Sequence, residues 1–447
     1  MVNMIYKYLH LANYKDIPNW SVQYADEEDL GFTKKYPMAR IGAFLTRRKE
    51  TIDIQDGIIY KRVTVSTKGG NITIRDEKDG KLIGTKKQFV IHEGQFLLSK
   101  IDARNGAYGV VPAIAEGAII TGNFWTYDVD YKRINPQFLT LVTKTQQFLD
   151  FAEKSSNGTT NRHYLQEDAF LNQQIPLPSI EEQEKILYDY NTHMASAMRK
   201  QYKIKSLAVD SQQLICNILG IKQKVSQESE SLLQFIHLID TGSRWDALVD
   251  TYTIESKYRI ENLGKFIMHI STGTTPPTSH PEYFDGDVKF FTPADLGNNK
   301  YLEHSSRTIT KIALDDKKAR AYHKGDILFV GIGSTVGKVG IVKDEMVSSN
   351  QQITGFTIDS SKINPEYVYY YLLYNRDITT ADQSKTTLPI VNQDKICKIP
   401  IVVPPIKVQD EIVSSLDKMY LEAKRDEKVI TVLERKAISS FEHKIFD

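Results

Sequence analysis

The chain repeats itself. Trp20 opens a block that begins again at Trp245. Gly94-Gln95-Phe96-Leu97 is answered by Gly325-Asp326-Ile327-Leu328, and Ile134-Asn135-Pro136-Gln137-Phe138 by Ile363-Asn364-Pro365-Glu366-Tyr367. Ile175-Pro176-Leu177-Pro178 is answered by Ile399-Pro400-Ile401-Val402, with Pro404-Pro405 close behind. Glu182-Gln183-Glu184-Lys185-Ile186 is answered by Val408-Gln409-Asp410-Glu411-Ile412. The offsets run only from 224 (399 − 175) to 231 (325 − 94), so whole units are duplicated with small loop differences. A period near half the chain is too long for a solenoid and has too few copies for a propeller. Two similar domains in one chain follow, and with them two similar surfaces.

Each half begins with short apolar runs separated by Gly, Asn and Asp, which read as strands bounded by turns. Examples are Ile58-Ile59-Tyr60, Gln88-Phe89-Val90-Ile91 and Gly117-Ala118-Ile119-Ile120, then Val288-Lys289-Phe290-Phe291, Asp326-Ile327-Leu328-Phe329 and Gly340-Ile341-Val342. Between them lie helical segments. One runs from Pro136 to Phe151 and its counterpart starts at Pro365, with Asn135 and Asn364 as N-caps and Pro at the first helical position. Strands and helices do not alternate regularly, so the fold class is α+β, with two repeated mixed α/β domains rather than a doubly wound sheet.

After Pro178 the period changes. From Leu187 the small or apolar residues fall at Tyr190, Met194, Ala197, Ile204, Ala208, Ile215 and Ile218, and later at Ile412, Leu416, Met419, Ala423, Ile430, Leu433 and Ala437. Ser179 followed by Glu182 is a capping-box start, and Gly220 is a C-terminal stop. Each helix spans ~40 residues, or ~60 Å at 1.5 Å per residue. A helix this long with one apolar stripe needs a partner. The expectation is that the two pair as an intramolecular antiparallel coiled coil; the plainer alternative is packing of each stripe on its own domain. Residues Lys222–Ser229 read as a polar linker, and Leu232–Ile239 as a short packed helix.

Composition narrows the function classes. Hydrophobic residues make up 41% and charged residues 25%, ordinary for a soluble globular protein, and the formal net charge is +1. There is no global nucleic-acid signature, but clustering of charge matters more than its sum. Cys216 and Cys397 stand far apart, so neither a disulfide framework nor a zinc knuckle is indicated, and a reducing cytoplasm fits. No apolar run approaches the ~18 residues of a membrane span, and Met1-Val2-Asn3-Met4 does not start a signal-peptide pattern.

The junction Ile175-Pro176-Leu177-Pro178-Ser179-Ile180-Glu181-Glu182-Gln183-Glu184-Lys185-Ile186 resembles the passage from target-recognition domain to helix in the specificity subunits of type I restriction–modification enzymes. Pro404-Pro405-Ile406-Lys407-Val408-Gln409-Asp410-Glu411-Ile412 resembles a second such passage. Leu263-Gly264-Lys265-Phe266 through Thr278 is similar to the opening of many such recognition domains. Ser99–Ala107 and Gly158–Arg162 also look familial. The resemblance implies a target-recognition domain over 1–178, a spacer helix over 179–220, a linker with a short helix over 221–244, a second recognition domain over 245–405 and a second spacer helix over 406–447. It implies two domains that each read half of a bipartite, asymmetric double-stranded DNA target. The partners implied are methyltransferase and restriction subunits. This chain would bind no cofactor itself, and S-adenosylmethionine, ATP and Mg²⁺ would sit on the partners. A duplex repeats every ~34–36 Å, so a ~60 Å helical spacer, less domain overlap, suits two separated half-sites.

Several loops carry DNA-reading chemistry. Lys100, Arg104 and Asn105, with Tyr108 beside them, end an apolar run; Arg suits guanine, Asn adenine and Lys phosphate. The plainer reading is an Asp102–Arg104 pair at a turn. In the second half Ser334, Thr335 and Lys338 occupy the equivalent loop, where glycines let backbone approach phosphate, or where a tight hairpin carries a solvated lysine. Asn161 and Arg162, and Lys385 and Thr386, are matching polar loops before the junctions. Thr274, Gln351 and Gln352 complete the candidate set.

Rival chemistries fail at particular positions. A phosphate-binding P-loop needs Gly where Ile332 stands and Ser or Thr where Val339 stands, and a dinucleotide fingerprint fails at Val336. Glu282, Asp287 and Lys289 imitate the metal site of a nuclease, but Asp285-Gly286-Asp287 reads more simply as a turn. The 10 His lack ligand spacing, and no Gly-x-Ser-x-Gly elbow or amino-methyltransferase Asn/Asp-Pro-Pro-aromatic motif occurs. The expectation is a non-catalytic recognition subunit. The alternatives are an autonomous metal-dependent nuclease, or a DNA-binding or decoy protein without restriction partners.

Overall fold

A computed structural model describes residues 30–67, 71–157, 164–224, 253–297, 299–380 and 389–447. Trp20, Trp245 and the expected Leu232–Ile239 helix lie outside the described residues. The chain divides into two compact units. One comprises the chain up to Arg199 together with Val429–Asp447, the other Lys200–Lys428. Each unit therefore holds one copy of the repeat plus a stretch of both long helices, Ile180–Leu219 and Ile406–Phe446.

In the first unit a four-stranded antiparallel sheet has the order Leu45–Arg48, Phe124–Val129, Phe96–Ser99, Tyr108–Val110. The second unit repeats this order with Ile267–Thr272, Ile353–Ile358, Ile327–Val330 and Val339–Val342, then adds Tyr301–Leu302 in parallel. Each unit carries a further mixed sheet, five-stranded in the first and four-stranded in the second. Each also closes with a short antiparallel pair at the junction: Met38–Arg40 with Gln174–Pro176, and Arg259–Asn262 with Pro400–Val403. The duplication in the sequence is thus a duplication of topology.

The helices follow their caps. Asn135 accepts from Gln137 N, and Asn364 from Glu366 N and Tyr367 N, each with Pro inside the first turn. The helix expected to run on to Phe151 breaks instead, into Pro136–Val142 and Gln146–Lys154. Thr143 and Thr145 hydroxyls donate to Thr140 O and Val142 O, competing with the next helical turn. The expected linker start is a strand: Lys222–Lys224 pairs antiparallel with Thr253–Glu255, because the backbone groups of an extended polar segment take backbone partners where another extended segment lies alongside.

The two long helices lie side by side, antiparallel, within each unit. In the second unit Lys200 meets Asp426 (2.5 Å), Lys203 meets Glu422, and Ser211 meets Met419 (3.6 Å), one number rising as the other falls. In the first, Ile186 and Leu187 share an apolar cluster with Phe441 and Ile445. The stripe departs from expectation at one place. Ala208 is exposed, and Leu207 and Ser211 face inward instead, because 3.6 residues per turn drifts against a seven-residue period. Asp426, buried within the opposite stripe, is a charge the pattern did not show. Lys200, and beyond it Lys203 at 3.7 Å, hold its carboxyl below the usual range.

Gly220 ends the first long helix at φ 64°, in the left-handed region that glycine enters freely. The capping box is half formed: Ser179 Oγ accepts from Glu182 N at 3.3 Å, while the Glu182 carboxylate takes the Tyr36 hydroxyl at 3.4 Å.

Candidate nucleic-acid interface

One hydrogen-bonded node recurs in both units. In the first, Lys100 N donates to Asn123 O (2.9 Å) and Lys100 O accepts from Leu165 N (3.0 Å). In the second, Gly331 N donates to Gln352 O (2.8 Å) and Gly331 O accepts from Val391 N (2.8 Å). The node ties the end of a central strand to a turn and to the short segment that precedes the junction. From it runs a loop that closes on a left-handed glycine, Gly106 at φ 83° or Gly337 at φ 90°. Backbone demands are met here by backbone, so the side chains are free to differ, and they do.

In the first unit the node is charged and aromatic. Arg47, on the strand Leu45–Arg48, pairs with Glu167 at 3.0 Å; Glu167 opens the helix Glu167–Asn172 and accepts the Tyr127 hydroxyl at 3.0 Å. Arg47 and Lys100 lie over the Trp125 ring, 5.8 and 5.7 Å from its centroid. Burial, and the neighbouring Arg47 charge, hold the Lys100 ammonium below its ordinary range.

In the second unit the corresponding elements carry hydroxyls and amides. Ile270 stands at the register position of Arg47, and Thr272, two residues further on, ends that strand opposite Thr354, the second residue of its neighbour strand as Trp125 is of its own; Gln393 is the first residue of the helix Gln393–Lys398. Thr272 and Thr354 hydroxyls are 3.0 Å apart, and Gln393 Nε2 donates to Thr272 at 2.9 Å.

The expected DNA-contacting residues fall into five groups. Thr274, Ser334 and Gln351 are exposed, and Thr335 and Gln352 half-buried, on loops that meet at the second node. Arg104 and Asn105 lie on the first node's loop. Arg104 is half-buried and forms no pair with Asp102, whose carboxylate faces Ser99 Oγ (3.3 Å) and Asn105 Nδ2 (3.5 Å). Lys100 and Lys338 are half-buried; the Lys338 chain lies across Gly297.

Tyr108 is a correction. It is wholly buried against Phe96, Phe148 and Phe170, and burial drives its hydroxyl far above the ordinary phenol range, so it is core and offers nothing to a duplex. Its strand alternation points it inward, which the adjoining polar loop concealed. Asn161, Arg162, Lys385 and Thr386 lie outside the described residues. Arg47, Trp125, Thr275 and Gln393 were missed. They come from four separate elements and share no local motif.

The nuclease constellation does not assemble. Glu282 pairs with His280 at 2.8 Å and Lys289 with Asp344 at 2.5 Å. Among the described residues no group of three or more His, Cys, Asp or Glu is placed to hold a metal, and no helix is long and apolar enough to cross a membrane.

A duplicated α+β scaffold whose matched nodes differ in side-chain chemistry defines a two-headed recognition protein. The chain belongs to the type I restriction–modification DNA specificity family: the profile described as "Type I restriction modification DNA specificity domain" matches residues 25–188 and again 257–435. The type I restriction enzyme HindI specificity subunit of Haemophilus influenzae is 21% identical over 466 residues, covering 92% of this chain and 95% of that one. The MjaIX specificity subunit of Methanocaldococcus jannaschii is 27% identical over 191 residues, 41% of this chain and 43% of that subunit's length. A chain solved in work on assembly and conformational transition of the type I R-M system shares the fold. Its TM-score is 0.51 at 16% identity, covering 92% of this chain and 98% of that chain.

Two substitutions test whether these loops read bases or bind the phosphate backbone. Arg104→Ala is expected to cost roughly 1–3 kcal/mol and relax one position of the target. Lys338→Ala is expected to weaken all sequences alike and lower the salt slope by about one unit. Isotherms on matched and single-mismatch duplexes at several salt concentrations check both; if neither variant changes affinity or discrimination, these loops face solvent.

Proposed function

We propose that this chain is the DNA sequence-recognition subunit of a type I restriction–modification complex and reads a bipartite, asymmetric double-stranded target. The recognition domains, residues 1–178 and 245–405, each read one half. The observation that carries this reading is the pair of matched nodes, identical in backbone bonding but charged and aromatic in one unit and amide-rich in the other. One scaffold with two chemistries suits two different half-sites.

The long helices dock the methyltransferase subunits, and restriction subunits join that assembly. Besides its inward stripe, the first long helix has an outward apolar series at seven-residue spacing: Tyr188, Ala195, Tyr202 and Val209, all exposed. Such a series is a second helix-packing seam with no occupant among the described residues. Methylation and cleavage chemistry, with S-adenosylmethionine, ATP and Mg²⁺, belongs to the partners, and the assembly works in the cytoplasm.

Exchanging residues 245–405 for the matching domain of a related subunit is expected to change one half of the methylated sequence and leave the other intact. Mapping modified sites in cells carrying the hybrid tests this. A change in both halves, or in neither, overturns the assignment of one reader per half.

A further inference from the structure

The amide-rich node carries a finer assignment. Gln351 is exposed in the turn between the strands Met346–Ser349 and Ile353–Ile358. Its Oε1 accepts the Thr275 hydroxyl at 2.6 Å, which tethers the side chain beside that loop. The turn beneath is braced: Asn350 Nδ2 donates to Gln352 Oε1 at 3.0 Å, and Asn350 Oδ1 accepts from Gln352 N at 3.1 Å. The loop bearing Thr275 is drawn in as far as glycine allows, since a Cβ on Gly273 would fall 2.3 Å from Asn350 O.

A primary amide presented this way keeps one oxygen lone pair and both Nε2 hydrogens. That pattern matches the major-groove edge of adenine, whose N6 donates and whose N7 accepts. Neighbouring Thr274 and Ser334 are exposed hydroxyls, so no adjacent charge on these two residues competes for the base edge. The corresponding turn of the first unit has Gly122 in this place, because Asn123 there bonds as Gln352 does here. The amide is therefore a property of one reader and not of the shared scaffold.

Resting on the reading of this chain as a two-reader DNA specificity subunit, we propose that Gln351 determines specificity for one adenine in the half-site read by the second unit, with Thr275 as its positioning residue. The test uses the full chain assembled with its methyltransferase subunits, and methylation rates on duplexes substituted singly at every target position. In Gln351→Ala, discrimination at one A·T pair of that half-site is expected to fall about 5- to 150-fold, the worth of one bidentate contact. The loss falls on the cognate duplex, whose methylation slows towards that of duplexes substituted at that one position, and the other half-site keeps its full discrimination.

Gln351→Glu cannot donate to N7 but accepts from a cytosine N4 amino group, so preference at the same position is expected to move from A towards C. A merely structural side chain would not redirect the base in this way. Thr275→Val is expected to give a smaller loss at that position alone. The proposal is overturned if Gln351→Ala weakens every duplex equally, changes none, or relaxes a G·C pair. Loss of discrimination in both half-sites would instead overturn the one-reader-per-half reading, and the proposal with it.

Discussion

Leu416→Asp is expected to unfold the second unit. Leu416 has no exposed surface and sits in one apolar cluster with Ile215, Leu219, Ile412 and Tyr367, where the long helices meet the recognition domain. Removing the leucine alone costs about 2–5 kcal/mol. An unpaired carboxylate in that site must either stay charged at great cost or take up a proton, adding several kcal/mol more. Together these approach the roughly 5–15 kcal/mol that holds a domain folded. Asp426 shows why the site matters more than the residue type: it too is buried on this helix, but Lys200 stands 2.5 Å away. Leu416→Met, which conserves volume, is expected to cost less than about 1.5 kcal/mol. Thermal denaturation and capture of the methyltransferase subunit check both variants. A Leu416→Asp protein with unchanged melting and partner binding would falsify the helix pairing.

Gln183→Ala and Gln409→Ala are each expected to remove about 3 kcal/mol from their own unit. Both glutamines are wholly buried, and both do the same work. Gln183 Oε1 accepts from Asn135 N at 2.7 Å, while its Nε2 donates to Pro178 O at 2.9 Å and Arg133 O at 3.0 Å. Gln409 Oε1 accepts from Asn364 N at 2.8 Å, and its Nε2 donates to Pro404 O at 2.8 Å. One side chain thus ties the start of a long helix to the proline turn before it and to the N-cap of the Pro136 or Pro365 helix. Truncation leaves buried backbone groups without partners, each worth about 1–3 kcal/mol. The two sites share no partner, so the losses are expected to add in the double variant. At roughly 2–4 °C per kcal/mol for a unit of this size, calorimetry should show each transition lowered by on the order of 10 °C. Shifts under about 2 °C would show that water replaces the amide without loss.

The repeated glutamine also shows how far sequence reading went. Its recurrence in Glu182-Gln183-Glu184 and Val408-Gln409-Asp410 marked the junctions, yet nothing in the pattern said that the side chain is a buried clamp. The N-caps Asn135 and Asn364 were legible because capping is local, a matter of one oxygen and the next turn of backbone. The helix break at Thr143–Thr145 was not, because apolar spacing continues across it. Lys100 and Tyr108 lay in a promising loop, but one bends over Trp125 and the other enters the core. A strand's inward face is set by its neighbours in the sheet, not by the residues beside it in the chain.

By itself the sequence determined the duplication, the α+β class, the two long helices and the junctions, since these rest on periodicity, caps and prolines that act over a few residues. Tertiary structure alone decided which parts form a unit. Val429–Asp447 joins the first recognition domain because Phe441 and Ile445 complete its core, 5.6 Å separating the rings of Phe138 and Phe441. It also decided the candidate reading surface. Arg47, Lys100, Trp125 and Glu167, and likewise Thr272, Thr275, Gln351 and Gln393, are distant in sequence and are brought together only when the sheet closes, because a contact between side chains is a property of packing and leaves no period to read.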